Sequence, residues 1–372
     1  MISKLKKKRI IFFLPNFNRG GASESILKLS KFLISNNFSI LIVSLNKNFY
    51  KKELKKIGCD VFEIQSKRVL FSIFKLRRLI KSEISKNHIK TILISNIHYA
   101  NIISIISCFN LDKTKIILTE RSSLTELKIF DNFFKFLKDR IIFFLANYFY
   151  KFADLVITNS QFEKNFIKNT FNINKIRCIY PPSISHVKKS KKSKKKLNNP
   201  IKIIYVGRLS KEKGVITILK ALSELKKYKF VLRIYGDGNE KENLQKYIKL
   251  KNLNKKVFFK GFIKDKDIIF KDVDLFINAS WFEGLPNALV QSINNDVFPI
   301  VSRSPGGNFE VIKYGKLGLS FKSNDSDDLK SKILFFLNNK IKLNKKLRID
   351  HMKNFTEKKS NKEYLKILNK IK

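Results

Sequence analysis

The chain is 372 residues long and 44% hydrophobic, enough material for two or three domains with cores of their own. Its 77 Lys and Arg against 30 Asp and Glu give a net charge of +47, a field that draws phosphate-rich partners such as nucleic acid, an anionic membrane or a nucleotide-linked substrate. No apolar run approaches the roughly 18 residues of a membrane span, and the three scattered cysteines, Cys59, Cys108 and Cys178, include no close pair of the kind that zinc or redox chemistry uses. Lysine is spread along the whole chain beside abundant Ile, Asn and Phe, so biased codon usage accounts for much of the charge without any partner.

The opening MISKLKKKRIIFFLPNF has a basic head and an apolar stretch too short for a signal peptide, so RIIFFLP reads as a first strand and cytoplasmic residence is expected. That strand runs through NFNRGGASES into a helix, which puts Gly20 and Gly21 where it ends. FSILIVSL, TILISNI, KIILTE and DLVITNS follow as short β-branched and aromatic runs, separated by stretches of helical spacing such as ESILKLSKFLISNN. His98 leaves TILISN, where a lone histidine is either structural or part of a site. Residues 127–154, LKIFDNFFKFLKDRIIFFLANYFYKFAD, are apolar and aromatic with lysines interspersed. Helical spacing gathers Phe130, Phe133, Phe134 and Leu137, with Lys128, Lys135 and Lys138 in reach of lipid headgroups; a core helix and a membrane-surface helix both fit. HVKKSKKSKKKLNNP, residues 186–200, has the composition of a solvated linker.

Beyond it the pattern repeats, with strand-like runs IKIIYVGRL, FVLRIYGDG, KVFFKGF, DLFINAS and FPIVSR. Near-continuous apolar strands alternating with helices imply parallel sheets covered on both faces, hence an α/β protein of two doubly wound domains. Ligands of such sheets sit beyond the carboxyl ends of the strands. There the second half places Arg208 and Lys213, the latter just before Gly214 and a helix start; this is either a solvated basic turn or a pair of cations for a pyrophosphate. After LFINAS comes SWFEGLPNALVQS, with Pro286 suited to the first helical position, the free amides of Asn287 and Ala288 aimed at an anion, and Glu283 placed for sugar hydroxyls. Leu289, Val290 and Ile293 form a core face, whereas Asn287 and Gln291 share a polar one. SPGGNFEVI is another glycine-rich turn, where Gly306 and Gly307 would let backbone amides approach a ligand. G-x-G-x-x-G and Walker patterns are absent from these positions, which disfavours nicotinamide and P-loop chemistry.

Taken in order, NRGGAS, VGRLSKEKG, YGDGNEKENL, SWFEGLPNALVQS and SPGGNFEVI resemble the retaining glycosyltransferases of family 4, with two Rossmann-like domains in the GT-B arrangement. The resemblance implies an N-terminal acceptor-side domain over 1–185, the basic linker 186–200, a nucleotide-sugar-binding domain over 201–355, and a last helix, 356–372, that crosses back to the first domain. It implies a nucleotide-sugar donor in the interdomain cleft, tilting toward a UDP-sugar, and transfer of a hexose to a glycan or lipid-linked acceptor in cell-surface polysaccharide, lipopolysaccharide or glycolipid synthesis. Arg208 and Lys213 fall where the family neutralises the diphosphate, and Glu283 where it contacts the donor sugar. The backbone near Phe262 and Ile263 would meet the base, and Gly20 and Gly21 would approach from the other domain. Gln291 stands where relatives carry a second, ribose-binding glutamate, so Gln291→Glu is expected to sharpen donor binding. ERSSLTE stands where many relatives have a histidine; Glu120 or Arg121 faces the cleft on this reading, with neither assigned as a base.

Neither a cofactor nor a metal is expected. Asp272 and Asp274 spell the Asp-x-Asp of a different glycosyltransferase fold, but they precede a buried strand. The resemblance allows a peripheral contact with the inner face of an anionic membrane and gives no reason to expect nucleic acid. The rival from another class is a basic α/β protein that binds nucleic acid or anionic membrane without catalysis.

Overall fold

The computed structural model describes residues 8–18, 20–66, 68–87, 91–128, 132–189, 197–225, 227–263 and 266–371. Phe130 and positions 190–196 of the basic run lie outside the described residues. The chain forms two compact units. One takes in everything up to Pro182 together with the segment from Glu357 onward; the other is Ser183–Thr356.

The first unit holds strands β1 (Arg9–Phe13), β2 (Ser39–Ser44), β3 (Asp60–Glu63), β4 (Thr91–Asn96), β5 (Thr114–Glu120), β6 (Leu155–Thr158) and β7 (Ile176–Cys178). They form a parallel sheet in the order β3-β2-β1-β4-β5-β6-β7, with Ile11 in register with Leu41 on one side and Leu93 on the other. Alternate residues of β1 go to opposite faces, as the two-residue period of a strand demands. Ile11 and Phe13 enter one apolar core, Ile10 and Phe12 another. This is why RIIFF is apolar without interruption. The second of those cores also takes Tyr364, Ile367 and Leu368 from the helix Glu357–Lys370, so the last helix of the chain completes the first unit. Lys8 Nζ donates to the carbonyls of Leu368 and Ile371 at 2.6 and 2.7 Å, where unpaired helix-end carbonyls attract a cation.

The second unit holds β8 (Ile201–Val206), β9 (Phe230–Tyr235), β10 (Val257–Gly261), β11 (Leu275–Asn278), β12 (Phe298–Ser302) and β13 (Leu319–Phe321), again parallel, in the order β10-β9-β8-β11-β12-β13. In both sheets the order reverses beside the first strand, and at such a point the loops after two neighbouring strands turn apart and leave a crevice. In the second unit those loops follow β8 and β11.

The expected linker is partly structured. Lys188 receives one hydrogen bond at its carbonyl from Arg348 and donates from its amide to Asn294 Oδ1 at 3.1 Å, and Ile184 bridges to Thr356 in parallel. Residues 183–189 are thus built into the second unit, because the buried Arg348 and Asn294 need partners for their polar groups. Asp272 and Asp274 serve the fold as well. Asp274 accepts from the Lys202 amide at 2.8 Å and from Asn198, and Asp272 pairs with Lys202 Nζ, which ties down the start of β8.

A buried polar cluster occupies the first unit beyond β4 and β5. Glu120 accepts hydrogen bonds from Tyr150 and from Asn101, and Glu163 accepts from the Leu124 amide at 2.9 Å and Ser123 Oγ at 2.7 Å. Burial pushes the Glu163 carboxyl up to about 8, against the pull of those two hydrogen bonds. The folded state therefore keeps a proton that the unfolded chain releases near the ordinary value of 4.5, and the stability tied to it is lost as pH rises from there through about 8. Thermal unfolding followed across that window should show a falling midpoint that Glu163→Gln renders flatter; equal slopes in the two proteins would place the proton elsewhere.

Candidate functional site

Three loops of the second unit meet because two glycines let their backbones touch. Gly214, at φ 62°, would put a Cβ 2.2 Å from the carbonyl oxygen of Ala279, and Gly306, at φ 112°, one 1.6 Å from that of Glu283. Both conformations also disfavour a side chain. The loop after β8 and the loop after β12 are thereby pressed on either side of the loop after β11. The Trp281 amide donates to the Glu212 carbonyl at 2.8 Å and the Glu283 amide to that of Pro305 at 3.0 Å, which fixes the contact.

This contact brings Lys213 to Glu283. Lys213 Nζ lies 2.7 Å from Glu283 Oε1, and Ser280 Oγ donates to the same oxygen at 2.7 Å. Both charged side chains are mostly buried, at 17% and 14% exposure, so the pair has lost much of its hydration and depends on its mutual contact. Ser280 is oriented in turn, its carbonyl accepting from Ser302 Oγ at 2.5 Å. Arg208 is exposed, and its guanidinium makes no hydrogen bond or ion pair among the described residues. Its carbonyl accepts from Tyr205 Oη at 2.8 Å. Burial raises the Tyr205 phenol well above its ordinary value, Glu283 and Glu212 raise it further, and Arg208 opposes them. Arg208, Lys213 and Glu283 thus belong to one electrostatic neighbourhood, with a free cation at its edge and a paired one within.

Other expected residues fare differently. Pro286 is the N-cap of the helix Asn287–Asn294 rather than its first residue, and Leu289, Val290 and Ile293 are its core face as expected. The amides of Asn287 and Ala288 have no acceptor among the described residues, as the first turn of a helix requires. The polar face of that helix, however, is occupied by the chain itself. Asn287 Oδ1 accepts from Ser183 Oγ at 2.6 Å, and the buried Gln291 donates from Nε2 to the Ser183 carbonyl at 3.0 Å. Gln291 therefore pins the start of this unit. Gly307 donates its amide to the Gly284 carbonyl at 2.9 Å, so that amide supports the Glu283 loop instead of facing a ligand. Gly306 and Gly307 act as spacers. Phe262, exposed, and Ile263, half-buried, lie just past β10, whose Gly261 carbonyl accepts from the Gly236 amide at 2.8 Å beside β9.

In the first unit Gly20 and Gly21 are exposed at the start of the helix Gly21–Ser35, and a Cβ on Gly20 would meet open space. His98 and Glu120 are buried, and Arg121 is half-buried. His98 is 2% exposed, with Glu120 Oε2 at 3.9 Å and Glu126 Oε1 at 3.7 Å. Burial works against charge on its ring, but Glu120, Glu126 and Asp139 outweigh it and raise the pKa. Glu120 is buried against Tyr150. Arg121 Nε donates to Asn96 Oδ1 at 2.7 Å, and its carbonyl accepts from Asn159 at 2.7 Å, so it braces the ends of β4 and β6. Two residues of consequence escape a reading of the sequence. Ser280 has only its place three before Glu283 to suggest it, and Ser183, in PPSISH, has no signal at all. Among the described residues no group of three His, Cys, Asp or Glu could hold a metal ion.

The described geometry has relatives. Residues 187–354 match the family model for glycosyl transferases group 1, and residues 19–182 that for glycosyltransferase family 4. Along 343 residues, 89% of each chain, the sequence is 26% identical to the Campylobacter jejuni protein named GalNAc-alpha-(1->4)-GalNAc-alpha-(1->3)-diNAcBac-PP-undecaprenol alpha-1,4-N-acetyl-D-galactosaminyltransferase. Over 239 residues it is 34% identical to an uncharacterized glycosyltransferase of Methanocaldococcus jannaschii, covering 60% of each. Among solved structures, HepE of Anabaena in complex with UDP-glucose superposes with a TM-score of 0.78 at 18% identity, over 98% of this chain and 100% of that one. The lipopolysaccharide outer core galactosyltransferase WaaB does so with 0.75 at 19%, with the same coverage. The fold is accordingly the two-domain α/β GT-B fold.

Because Gln291 donates to a carbonyl, Gln291→Glu would set a buried carboxylate against that oxygen. The expected result is a loss of about 1–3 kcal/mol in stability, read by thermal or urea unfolding, in place of the tighter donor binding that the sequence suggests. Gly306→Ala should lower the unfolding midpoint while Gly20→Ala leaves it unchanged, since only the first position meets a backbone oxygen.

Proposed function

The chain belongs to the family 4 glycosyltransferases, and from that membership we propose that its second unit binds a nucleotide-diphosphate sugar where β8, β11 and β12 end. The sugar, a hexose, passes with retained configuration to a glycan or lipid-linked acceptor. The observation that carries the reading is the Lys213–Glu283 pair beside the free Arg208 guanidinium. A diphosphate placed there meets two cations and the unbonded amides of Asn287 and Ala288, while Glu283 remains for sugar hydroxyls.

In the proposed step the bond between the anomeric carbon and the leaving phosphate oxygen breaks, and a bond from that carbon to the acceptor oxygen forms on the same face. The acceptor's proton goes to the departing phosphate. No protein base is required, and the chain contributes positioning and stabilisation of the charge that develops on the phosphate, for which Arg208 and Lys213 are the proposed groups. With cations in place for that charge, the reaction is proposed to need no metal. UDP is the proposed nucleotide, supported by the UDP and UDP-glucose named in the HepE structures. A lipid-linked or polysaccharide acceptor is supported by the undecaprenol-linked compound in the Campylobacter relative's name and by the amylovoran biosynthesis glycosyltransferase AmsD of Erwinia amylovora, 22% identical over 83% of this chain and 84% of that protein. Cytoplasmic residence, where nucleotide sugars are made, belongs to the same proposal.

Glu283 and Lys213 give the proposal a test with opposite signs. In the free protein Glu283 holds the ammonium that the diphosphate needs. Glu283→Gln should therefore bind UDP more tightly, by about threefold to tenfold for a weakened charge-assisted contact, yet transfer sugar at least about a hundredfold more slowly. Lys213→Ala should lose both binding and transfer. Thermal-shift titration with UDP, GDP and ADP, and turnover measured in EDTA, supply the readouts. No response to any nucleotide would reject the donor site, and loss of turnover in EDTA restored by manganese would reject metal independence.

A further inference from the structure

The helix Phe133–Phe149 is apolar on two opposed faces. Ile142 and Ala146 are buried on one of them, with Phe143, Leu145 and Phe149 packed beside them on the core of the first unit. Phe133, Phe134, Leu137, Ile141, Phe144 and Tyr148, which follow one another in steps of one, three or four residues, form a single stripe on the other. That stripe is in solvent: Phe134 is 83% exposed, Phe144 68% and Phe133 65%, and Phe152 just beyond continues it at 58%. Ordinary surface helices turn charged residues outward, and a contiguous aromatic stripe of this kind marks a contact surface.

The surrounding charge selects the contact. Lys138, Arg140 and Lys151 are exposed around the stripe, and the one carboxylate of the helix, Asp139, is buried away from it. A second copy of a chain with net charge +47 would bring like charge to this face. A phospholipid surface with anionic headgroups would bring the opposite charge, together with an acyl boundary able to take in the aromatic rings. No helix among the described residues is long and apolar enough to cross a membrane, so the helix would lie along the surface.

We propose that the stripe Phe133–Tyr148, with its border of Lys138, Arg140 and Lys151, is a docking face for anionic phospholipid bilayers. The first unit rests on the membrane through it, with the rings in the headgroup boundary and the cations among the phosphates. The inference is independent of the donor site, which lies in the other unit.

Vesicle flotation of the full chain tests it. With vesicles containing about one-third phosphatidylglycerol in phosphatidylcholine at low salt, the protein should float, and with phosphatidylcholine alone it should stay behind. Phe134→Ser combined with Phe144→Ser should reduce the floated fraction about tenfold with no change in unfolding midpoint, because both side chains are exposed. Lys138→Ser with Arg140→Ser should weaken flotation less at roughly 0.5 M salt than at low salt, where the charges are unscreened. No flotation at low salt, or flotation that the paired Phe substitutions leave unchanged, overturns the proposal. So does a concentration-dependent dimer in sedimentation that those substitutions abolish, since it would assign the stripe to a second copy. Retention of the UDP-induced thermal shift in the Phe variant separates failure here from failure of the donor site.

Discussion

The ion pair of Lys213 and Glu283 depends on the close approach of three backbones, and the rest of the second unit can be understood as the means of holding them there. A lysine and a glutamate seventy positions apart meet only if the loops bearing them abut. They abut because Gly214 and Gly306 present no side chain to the carbonyls of Ala279 and Glu283. Parallel strands supply the platform, since every strand of the sheet ends on one edge and the reversal of order beside β8 opens space there. A mostly buried pair of opposite charges is costly to desolvate and so adds little to the stability of the fold; Ser280 aligns its carboxylate and Ser302 holds Ser280.

The first unit makes a different use of the same edge. Glu120, Tyr150 and Asn101 are joined by hydrogen bonds at the ends of β4 and β5, with the buried His98 ring beside them at 3.9 Å from Glu120, while Arg121 is tied back to Asn96. Ile97, at φ 77°, is a β-branched residue held in the left-handed region at the head of this network, which places backbone strain where the sheet reverses order. The side chains here are tightly held. Gly20 and Gly21, at the start of the first helix, are exposed at this end of the unit and offer backbone without side chains.

The architecture was readable because a strand buried on both faces must be apolar throughout. RIIFF and TILISN announced themselves in this way, as did the loops that follow them. The positions of Glu283, Lys213 and Arg208 at strand ends were legible from the strand pattern, but with lysine spread along the whole chain only the resemblance singled them out. Gln291 misled. Its partner lies 108 positions earlier in a stretch without pattern, and an amide on a helix looks the same whether it faces a sugar or the chain's own carbonyl. The paired glycines of SPGGNF misled in a like manner, because a residue without a side chain accommodates a neighbouring backbone as readily as a ligand. In residues 127–154 composition could not separate a core helix from a surface one, for the helix has an apolar face of each kind.

The chain passes from the first unit to the second at Pro182 and returns at Glu357, next to the pairing of Ser183 and Ile184 with Phe355 and Thr356. The second unit is therefore an insertion within the first. As the polypeptide emerges from the ribosome, the core that holds Ile10 and Phe12 can gather Ile26, Leu29 and Leu33 of the first helix, but it lacks Tyr364, Ile367 and Leu368 until the final helix is made. The inserted unit has all its own strands by then and can be complete earlier. Nascent chains halted anywhere before that helix would leave the core three side chains short, with its apolar neighbours open to water at that place.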